Sequence, residues 1–429
     1  VIGAGVTGQA MLSFLECQGA HVKLIDEKKI NESVITEIDS DMFSKFSLVC
    51  VSPGWRTDHP VISEFRKLGT EILSEIDLAW RVKLEILPNQ KWVALTGTNG
   101  KTTTIQMVAS IFEAAGVSGT ACGNVGETVI AAVTSANKYD VLALELSSFQ
   151  IEWSNEAKFE IGCILNIADD HIDWHGSFTE YAKSKLDLLN RSVTAILNGD
   201  DAAVVEGSQH WQGRKVFYTL QTPKPGEIGL VEDLLVDRAF VADPMEAAMF
   251  CELSEVQPTA PHSVSNALAA AGLARAIGID HEIIRGAIKK FRPGRHRIEL
   301  VLEHDGIRWI DDSKATNPHA AQASVMSELS VVWIAGGLAK GAEMNELIAQ
   351  VGSRLRAVVL IGTDRELIAH ELQSNFPNVS IVRVDPKPGH DRSSADNDFM
   401  NQIVTEAKHL AQNGDAVHHG CQQRNRHRQ

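Results

Sequence analysis

The stretch Leu95-Thr96-Gly97-Thr98-Asn99-Gly100-Lys101-Thr102-Thr103-Thr104 constrains this chain more than any other. It follows the apolar run Trp92 to Leu95 and opens the periodic segment Ile105 to Ala115, so it reads as strand, glycine loop, helix. Glycines let backbone N–H groups close round a phosphate, and the helix N-terminus adds the positive end of its dipole. Lys101 can reach the outer phosphates and Thr102 can ligate Mg2+. The longer phosphate-loop pattern asks for a further Gly where Leu95 stands, so the flanking strand and helix carry the reading. An ordinary glycine-rich turn is the alternative.

At 429 residues the chain exceeds one ordinary core, and about 150 residues per domain suggests two to four domains, with three expected. Hydrophobic residues make up 44% and charged ones 22%, and no apolar run reaches the roughly 18 residues of a membrane span, which points to a soluble globular protein. No secretory leader is expected at Val1. The six cysteines are scattered, with no C-x-x-C, so they are expected to be reduced and mostly packed, as in the cytoplasm. A formal net charge of −15 argues against sequence-independent nucleic-acid binding. Any anionic ligand must then meet local Lys, Arg, Mg2+ or helix ends.

The first segment opens at Val1-Ile2-Gly3-Ala4-Gly5-Val6-Thr7-Gly8, continues as a helix to about Gly19, and reaches a strand at His21 to Asp26. This is a G-x-G-x-x-G fingerprint with an acid near the end of the second strand, the pattern of a dinucleotide site. Alternatively, the glycines serve only a tight turn and close helix packing. Only two residues precede the first Gly, so the lead-in strand is expected to be incomplete. Ser47 to Val51 is a further strand ending in Ser52-Pro53-Gly54, and Pro88-Asn89 reads as a linker.

Beyond that linker the apolar runs stop on polar residues. Trp92 to Leu95 leads to the phosphate loop, Val141 to Leu144 to Glu145 through Gln150, Ile161 to Ile167 to Asp169-Asp170-His171, and Thr194 to Leu197 to Asn198 through Asp201. Ligands of an open parallel α/β sheet sit outside the carboxyl ends of its strands, so these tips should converge. Arg214 to Gln257 reads as sheet elaboration, Ser263 to Ile277 and Asp280 to Phe291 as helices, and Arg292 to Arg295 as a second linker. Strands at Arg308 to Ile310, Val331 to Ala335, Ala357 to Ile361 and Ser380 to Val384 then alternate with helices, again doubly wound α/β. Asp385 to Asp398 is polar and reads as an exposed loop.

Glu145 ends an apolar strand, where nucleotide enzymes hold a carboxylate near Mg2+, or it is a solvated strand-end acid. His171 lies on a loop at the same expected edge. Lys185 is unusual: Phe178, Tyr181, Ala182, Lys185, Leu188 and Leu189 share one helical face, which Lys183 does not. Either a buried ammonium there is paired or chemically changed, or its stem lies on the core with the head in water. Asp311 to Pro318 and Gly336 to Lys340 place Lys314 and Lys340 at strand tips, where they can grip carboxylates or phosphates. His296-Arg297 puts a permanent charge just past the second linker.

The ordered set of motifs resembles the Mur ligase family over nearly the whole chain, and within it the enzymes that add D-glutamate. It comprises the first glycine loop, Ser52-Pro53-Gly54, Gly97 to Thr102, Gly123-Asn124-Val125-Gly126, Glu145 to Gln150, Asp170-His171, Tyr181 to Lys185, Asn266-Ala267-Leu268, His296-Arg297 and Asp312 to Asn317. Members of this kind also lack the first Gly of the longer phosphate loop. The resemblance implies an α/β chain of three domains: a Rossmann-like UDP-binding domain at 1–82, a P-loop ATP-binding domain with a mostly parallel sheet at 83–293, and a Rossmann-like amino-acid-binding domain at 294–429. It implies a cytoplasmic, monomeric, ADP-forming ligase of peptidoglycan precursor synthesis. ATP would phosphorylate the carboxylate of UDP-N-acetylmuramoyl-L-alanine, and the amine of D-glutamate would attack the acyl phosphate.

By the same resemblance Val6, Thr7, Asp26 and Ser52 match UDP-facing positions, and Asn124, Ser147 and Gln150 match positions lining the substrate. Gly97, Thr98, Asn99, Gly100, Lys101, Thr102 and Thr103 would cradle the ATP phosphates, with Asn266, Arg297 and Asp312 as further ATP contacts. Thr102 and Glu145 would serve one Mg2+, His171 and a carbamylated Lys185 a second, and Lys101, His171 and Lys185 would act in catalysis. Lys314, Thr316 and Lys340 match positions that hold D-glutamate. A nicotinamide dehydrogenase would leave the second glycine loop, Glu145 and Lys185 idle, and folylpolyglutamate synthase does not account for the first fingerprint. A sister ligase adding another amino acid, or a scaffold without catalysis, completes the alternatives.

After Val417 the family would continue as an apolar strand and a small-residue loop with a Ser and a later Phe. Here the chain reads His418-His419-Gly420-Cys421 through Gln429, without strand periodicity and strongly basic. This tail is therefore expected not to pack as a central strand, to weaken D-glutamate binding and ligation, and to leave the third domain less stable than the second. A metal-binding or nucleic-acid-binding tail is the lesser alternative.

Overall fold

The computed structural model describes residues 1–29, 31–243, 245–336, 344–363, 365–385 and 392–420, with the backbone alone for 392–397. The chain forms two compact units, one of Val1–Thr259 with Ser263–Phe291, the other of the residues from Arg292 onward with Ala260–His262. Among the described residues no helix is long and apolar enough to cross a membrane.

The first unit opens on a small parallel sheet. Strand β1 (Leu24–Ile25) pairs with β2 (Val34–Ile35), and β3 (Leu48–Val51) with β4 (Glu71–Ser74). Fully buried Ile2 bridges Ile25 on one side and Val51 on the other, so the expected lead-in strand is one residue long. Around the sheet lie α1 (Val6–Cys17), α2 (Ser40–Phe43), α3 (Pro60–Lys67) and α4 (Glu75–Ile86). A Cβ on Gly8 would stand 1.7 Å from the Gly3 carbonyl oxygen, and Gly3 has φ +95°. Both positions thus need glycine for the close approach of α1 to its own entry turn.

The larger sheet of this unit comprises β5 (Lys91–Thr96), β6 (Gly119–Gly123), β7 (Val141–Glu145), β8 (Phe159–Ile164), β9 (Ser192–Asn198), β10 (Arg214–Tyr218), β11 (Ile228–Val231), β12 (Leu234–Asp237) and β13 (Ala248–Glu252). Its order is β6-β7-β5-β8-β9-β10-β11-β12-β13, parallel from β6 to β11 and antiparallel thereafter. The region expected to elaborate the sheet does so as β10 to β13. The helices are α5 (Lys101–Ala114), α6 (Val129–Thr134), α7 (Ser148–Trp153), α8 (Ile172–His175), α9 (Phe178–Leu186), α10 (Ala202–Gly207), α11 (Pro261–Ala276) and α12 (His281–Lys290). One apolar layer joins Ile105, Val108 and Phe112 of α5 to Leu268 of α11 and Ile284 and Ile288 of α12; another joins Trp92, Leu142 and Phe159 to Ile130 and Leu78. Alanines on nearly every side of α11 are buried, which suits a helix enclosed by its neighbours.

The second unit contains β14 (Glu299–His304), β15 (Ile307–Asp312), β16 (Val331–Gly336), β17 (Leu355–Ile361), β18 (Ser380–Arg383) and β19 (Ala416–Gly420), in the order β14-β15-β19-β16-β17-β18. All pairs are parallel except the β14–β15 hairpin, whose Asp305-Gly306 turn the sequence reading passed over. Helices α13 (Pro318–Met326), α14 (Asn345–Val351), α15 (Arg365–Asn375) and α16 (Arg392–Leu410) flank the sheet. Helix α16 overturns the exposed-loop reading from Arg392 to Asp398: Ile403 and Ala407, one turn apart, bury against Val332, Val359 and Val417 and anchor a helix that extends back into the polar stretch. Residues 386–391 lie outside the described residues.

The start of the tail packs as a strand, against the expectation from its sequence. His418, His419 and Gly420 continue β19 as a central strand, with Ile310 and Trp333 flanking His418. Free backbone ladders on both sides outweigh the weak strand propensity of the side chains. His418 is 1% exposed, and its Nδ1 lies 3.0 Å from Ser324 Oγ. Residues 421–429 lie outside the described residues, as does Lys340.

Burial, then the positive field of Arg308, pushes the His418 imidazole down to about 3. In the unfolded chain it titrates near 6.5, so its contribution to stability is complete above that pH and is lost as pH falls toward 3. Between pH 7 and 5 this costs about 2 kcal/mol. We therefore expect His418→Val to lose less stability than the parent over this interval in urea unfolding; an equal loss in both proteins would contradict the buried neutral histidine.

Candidate active site

The phosphate loop leaves β5 in the middle of a parallel sheet, between β7 and β8. Parallel pairing puts the ends of β5, β7, β8 and β9 on one edge, as the sequence reading expected. Gly100 has φ +83°, and a Cβ there would stand 2.4 Å from Asn266 Oδ1, so only glycine fits against this buried asparagine. Helix α5 begins at Lys101 with no break. The Lys101 ammonium donates to the carbonyls of Gly97 at 2.8 Å and Thr98 at 3.0 Å. The Thr98 hydroxyl lies 3.0 Å from Tyr181 Oη and accepts from the Ala168 N–H at 3.0 Å. Thr102 and Thr103 follow in the first turn of α5.

Lys185 enters the same space from α9, which Ser177 caps by accepting the Glu180 N–H. Lys185 is 1% exposed, whereas the Lys183 side chain is 76% exposed, so the reading with the Lys185 head in water is overturned. Its Nζ donates to the Gly97 carbonyl at 2.9 Å, lies 3.4 Å from Thr96 Oγ1 and stands over the Tyr181 ring at 4.8 Å. Burial, then the neighbouring Lys101 charge, holds its pKa well below the usual lysine range; Asp170 and Glu145 oppose this. Two lysines thus donate to one carbonyl, an arrangement that favours a neutral amine at Lys185.

Glu145, at the end of β7, is 1% exposed. Its Oε1 accepts from Asn124 Nδ2 at 2.9 Å, while Oε2 is buried with no hydrogen-bond partner among the described residues. A buried carboxylate oxygen left without a donor fits a cation ligand. Asn124 also donates its backbone N–H to the Glu145 carbonyl at 2.8 Å. Ser147 and Gln150 close a capping box at the start of α7, so both side chains have a local structural task. His171 has φ +54°, its ring lies 4.9 Å from that of Phe149, and its Nε2 is 3.6 Å from Asp170 Oδ2. His175, which the sequence reading did not single out, holds Ser148 Oγ at 2.9 Å and is pushed down to about 4, first by burial and then by His171, Lys185 and Arg56.

At the first glycine loop, Ser52 Oγ donates to the Gly3 carbonyl at 3.3 Å, and Asp26 Oδ2 accepts the Ala4 N–H at 2.7 Å. The fingerprint acid therefore closes its own loop. Val6 is 80% exposed at the start of α1, with Thr7 half-buried beside it. In the second unit, Asp312, Lys314 and Thr316 follow one another at the carboxyl end of β15. Asp312 accepts the Ile298 N–H at 3.2 Å, and burial pushes it up to about 6. Arg297 is half-buried ahead of β14, and the Lys314 N–H donates to the His296 carbonyl. Sequence reasoning also missed Asn166 and the Tyr181 hydroxyl, whose one visible signal was their place on the tip of β8 and on the face of Lys185.

Three family profiles match the chain in succession: Mur ligase MurD-like, N-terminal domain at residues 1–74; Mur ligase middle domain at 95–274; and Mur ligase, glutamate ligase domain at 296–418. The chain is 41% identical over 436 residues to the UDP-N-acetylmuramoylalanine--D-glutamate ligase of Thermobifida fusca, covering 97% of this chain and 91% of that one. It is 42% identical over 415 residues to the ligase of the same name from Streptomyces avermitilis, covering 95% and 84%. Among solved structures, a pseudomurein peptide ligase type C from Methanothermus fervidus superposes with a TM-score of 0.62 at 18% identity, over 98% of this chain and 96% of that one. UDP-N-acetylmuramate-alanine ligase from Thermotoga maritima does so with 0.59 at 16% identity, over 99% and 95%. These two likenesses speak for the three-domain α/β fold alone. With sequence matches running along both chains almost end to end, the chain belongs to the Mur ligase family.

Proposed function

We propose that this ATP-dependent, ADP-forming ligase joins D-glutamate to UDP-N-acetylmuramoyl-L-alanine in the cytoplasm, as a monomer. The observation that carries the reading is the meeting of Lys101 and Lys185 on the Gly97 carbonyl. The named relatives supply the substrate pair. We read three domains, 1–82 for the UDP moiety, 83–293 for ATP and 294–429 for D-glutamate. Val6, Thr7, Asp26 and Ser52 would face the uridine diphosphate, and Asn124, Ser147 and Gln150 the rest of that substrate. Asn266, Arg297 and Asp312 would add to the ATP contacts of Gly97 through Thr103, while Lys314, Thr316 and Lys340 would hold D-glutamate.

A carboxylate oxygen of the alanyl group attacks the γ-phosphorus and ADP leaves. The D-glutamate amine then attacks the acyl carbon, loses a proton, and inorganic phosphate departs. Each step gathers negative charge on oxygen, which Lys101 would stabilise electrostatically. Mg2+, held by Thr102 and Glu145 and by His171 with Lys185, would supply further charge stabilisation. Lys185 suits a carbamate: a depressed pKa leaves the neutral amine that captures CO2, releasing one proton and turning the buried amine into an anionic ligand.

Lys101→Ala should lower ATP turnover, measured with both substrates present, by at least about 100-fold while leaving the thermal melt near that of the parent. Parental ADP formation in that variant would remove Lys101 from the chemistry. Lys185→Ala should be similarly impaired and regain part of its activity with a short carboxylic acid, and the parent incubated with 13C-bicarbonate should give a carbamate carbon signal that the variant lacks. Full activity of Lys185→Ala, or no labelled signal in the parent, would count against the carbamate.

A further inference from the structure

We propose that Asn166 is a positioning residue for the phosphate loop, acting as a substitute peptide group that extends β8 along the loop past the end of the strand. The proposal rests on the phosphate-binding reading of that loop. Beyond the last paired residues of β5 and β8, the Leu165 N–H donates to the Thr96 carbonyl at 2.9 Å and the Thr98 N–H to the Asn166 carbonyl at 3.0 Å. The Asn166 side chain then takes over. Its Oδ1 accepts the Asn99 N–H at 2.8 Å, and its Nδ2 donates to the Asn99 carbonyl at 3.1 Å. One side-chain amide thus serves both backbone groups of a single loop residue, as a neighbouring strand would.

The segment that carries Asn166 is itself fixed. Asn198, at the end of β9, donates to the Leu165 carbonyl at 2.8 Å, and a Cβ on Gly97 would stand 2.9 Å from Leu165 Cβ. The glycine loop therefore lies directly on residues 165–166, without room for a side chain between them.

The arrangement decides which amides can face a phosphate. The N–H groups of Thr98 and Asn99 are spent on Asn166, so within the proposed contacts of Gly97 through Thr103 these two amides do not reach a phosphate, and those from Gly100 into the first turn of α5 can, where helix geometry leaves N–H groups without intrahelical partners. The same loop segment presents the Gly97 and Thr98 carbonyls to Lys101. Releasing the Asn99 peptide would free a donor in the wrong place and loosen the carbonyls that aim Lys101.

Calorimetric titration with ATP and Mg2+, and separately with the UDP-sugar substrate, tests this in the full chain. Losing both side-chain bonds in Asn166→Ala should weaken ATP binding roughly ten-fold or more and raise the KM for ATP, with UDP-substrate affinity within about two-fold of the parent. Asn166→Asp keeps the shape and one acceptor but turns an oxygen toward the Asn99 carbonyl, so it should weaken ATP binding at least as much, whereas a residue that only filled space would tolerate it. Asn166→Asp alone decides the matter if Asn166→Ala does not fold. Parental ATP affinity in either folded variant would overturn the role of Asn166 and leave the loop reading standing. Failure of the parent itself to bind ATP would overturn both.

Discussion

The parallel pairing of β5 with β7 on one side and β8 on the other is the constraint on which the first unit depends. It sets Gly97, Glu145 and Asn166 at the ends of three adjacent strands. Several of the hydrogen bonds that shape the site then continue the sheet beyond its last paired residues. Thr96 Oγ1 donates to the Leu146 carbonyl, Leu146 donates to the Leu95 carbonyl, and Asn166 extends the ladder into the loop. Breaking the sheet order would scatter the site, whereas the elaboration by β11 to β13 lies at the far end of the sheet and leaves these tips untouched.

On that frame the side chains set up an unfavourable electrostatic arrangement of their own. Two lysines donate to one carbonyl, and a buried glutamate oxygen has no donor among the described residues. Such an arrangement costs stability, and it is the kind of conflict that phosphate, cations and a modified amine would relieve together. The buried stripe of α9 is what keeps it in place: Tyr181 and Lys185 share a face, and the tyrosine hydroxyl reaches Thr98 in the phosphate loop.

Much of this was legible in the sequence because it depends on local patterns. The strand, glycine loop and helix around Lys101 show in the glycine spacing, and helical periodicity through Phe178, Tyr181 and Leu188 puts Lys185 on the apolar face while leaving open whether its head is buried. The readings that failed depended on distant partners. His418 and His419 form a strand because Ile310 and Trp333 present open ladders, and nothing in the tail itself encodes those neighbours. The helix from Arg392 draws its order from Ile403 and Ala407 further along, beyond the polar stretch that suggested a loop. Asn166 and His175 were passed over because an asparagine after a strand and a histidine beside a tryptophan carry no signature until their hydrogen bonds are known.

The central claim is that the phosphate loop and its lysines drive transfer of a phosphoryl group to the substrate carboxylate. Isotope tracing tests it most directly. With 18O in the alanyl carboxylate of UDP-N-acetylmuramoyl-L-alanine, and ATP, Mg2+ and D-glutamate in unlabelled water, the attacking oxygen stays with phosphorus when the amine displaces phosphate. The account predicts that the released inorganic phosphate carries one 18O atom per ligation. Ligation with phosphate free of label would contradict it.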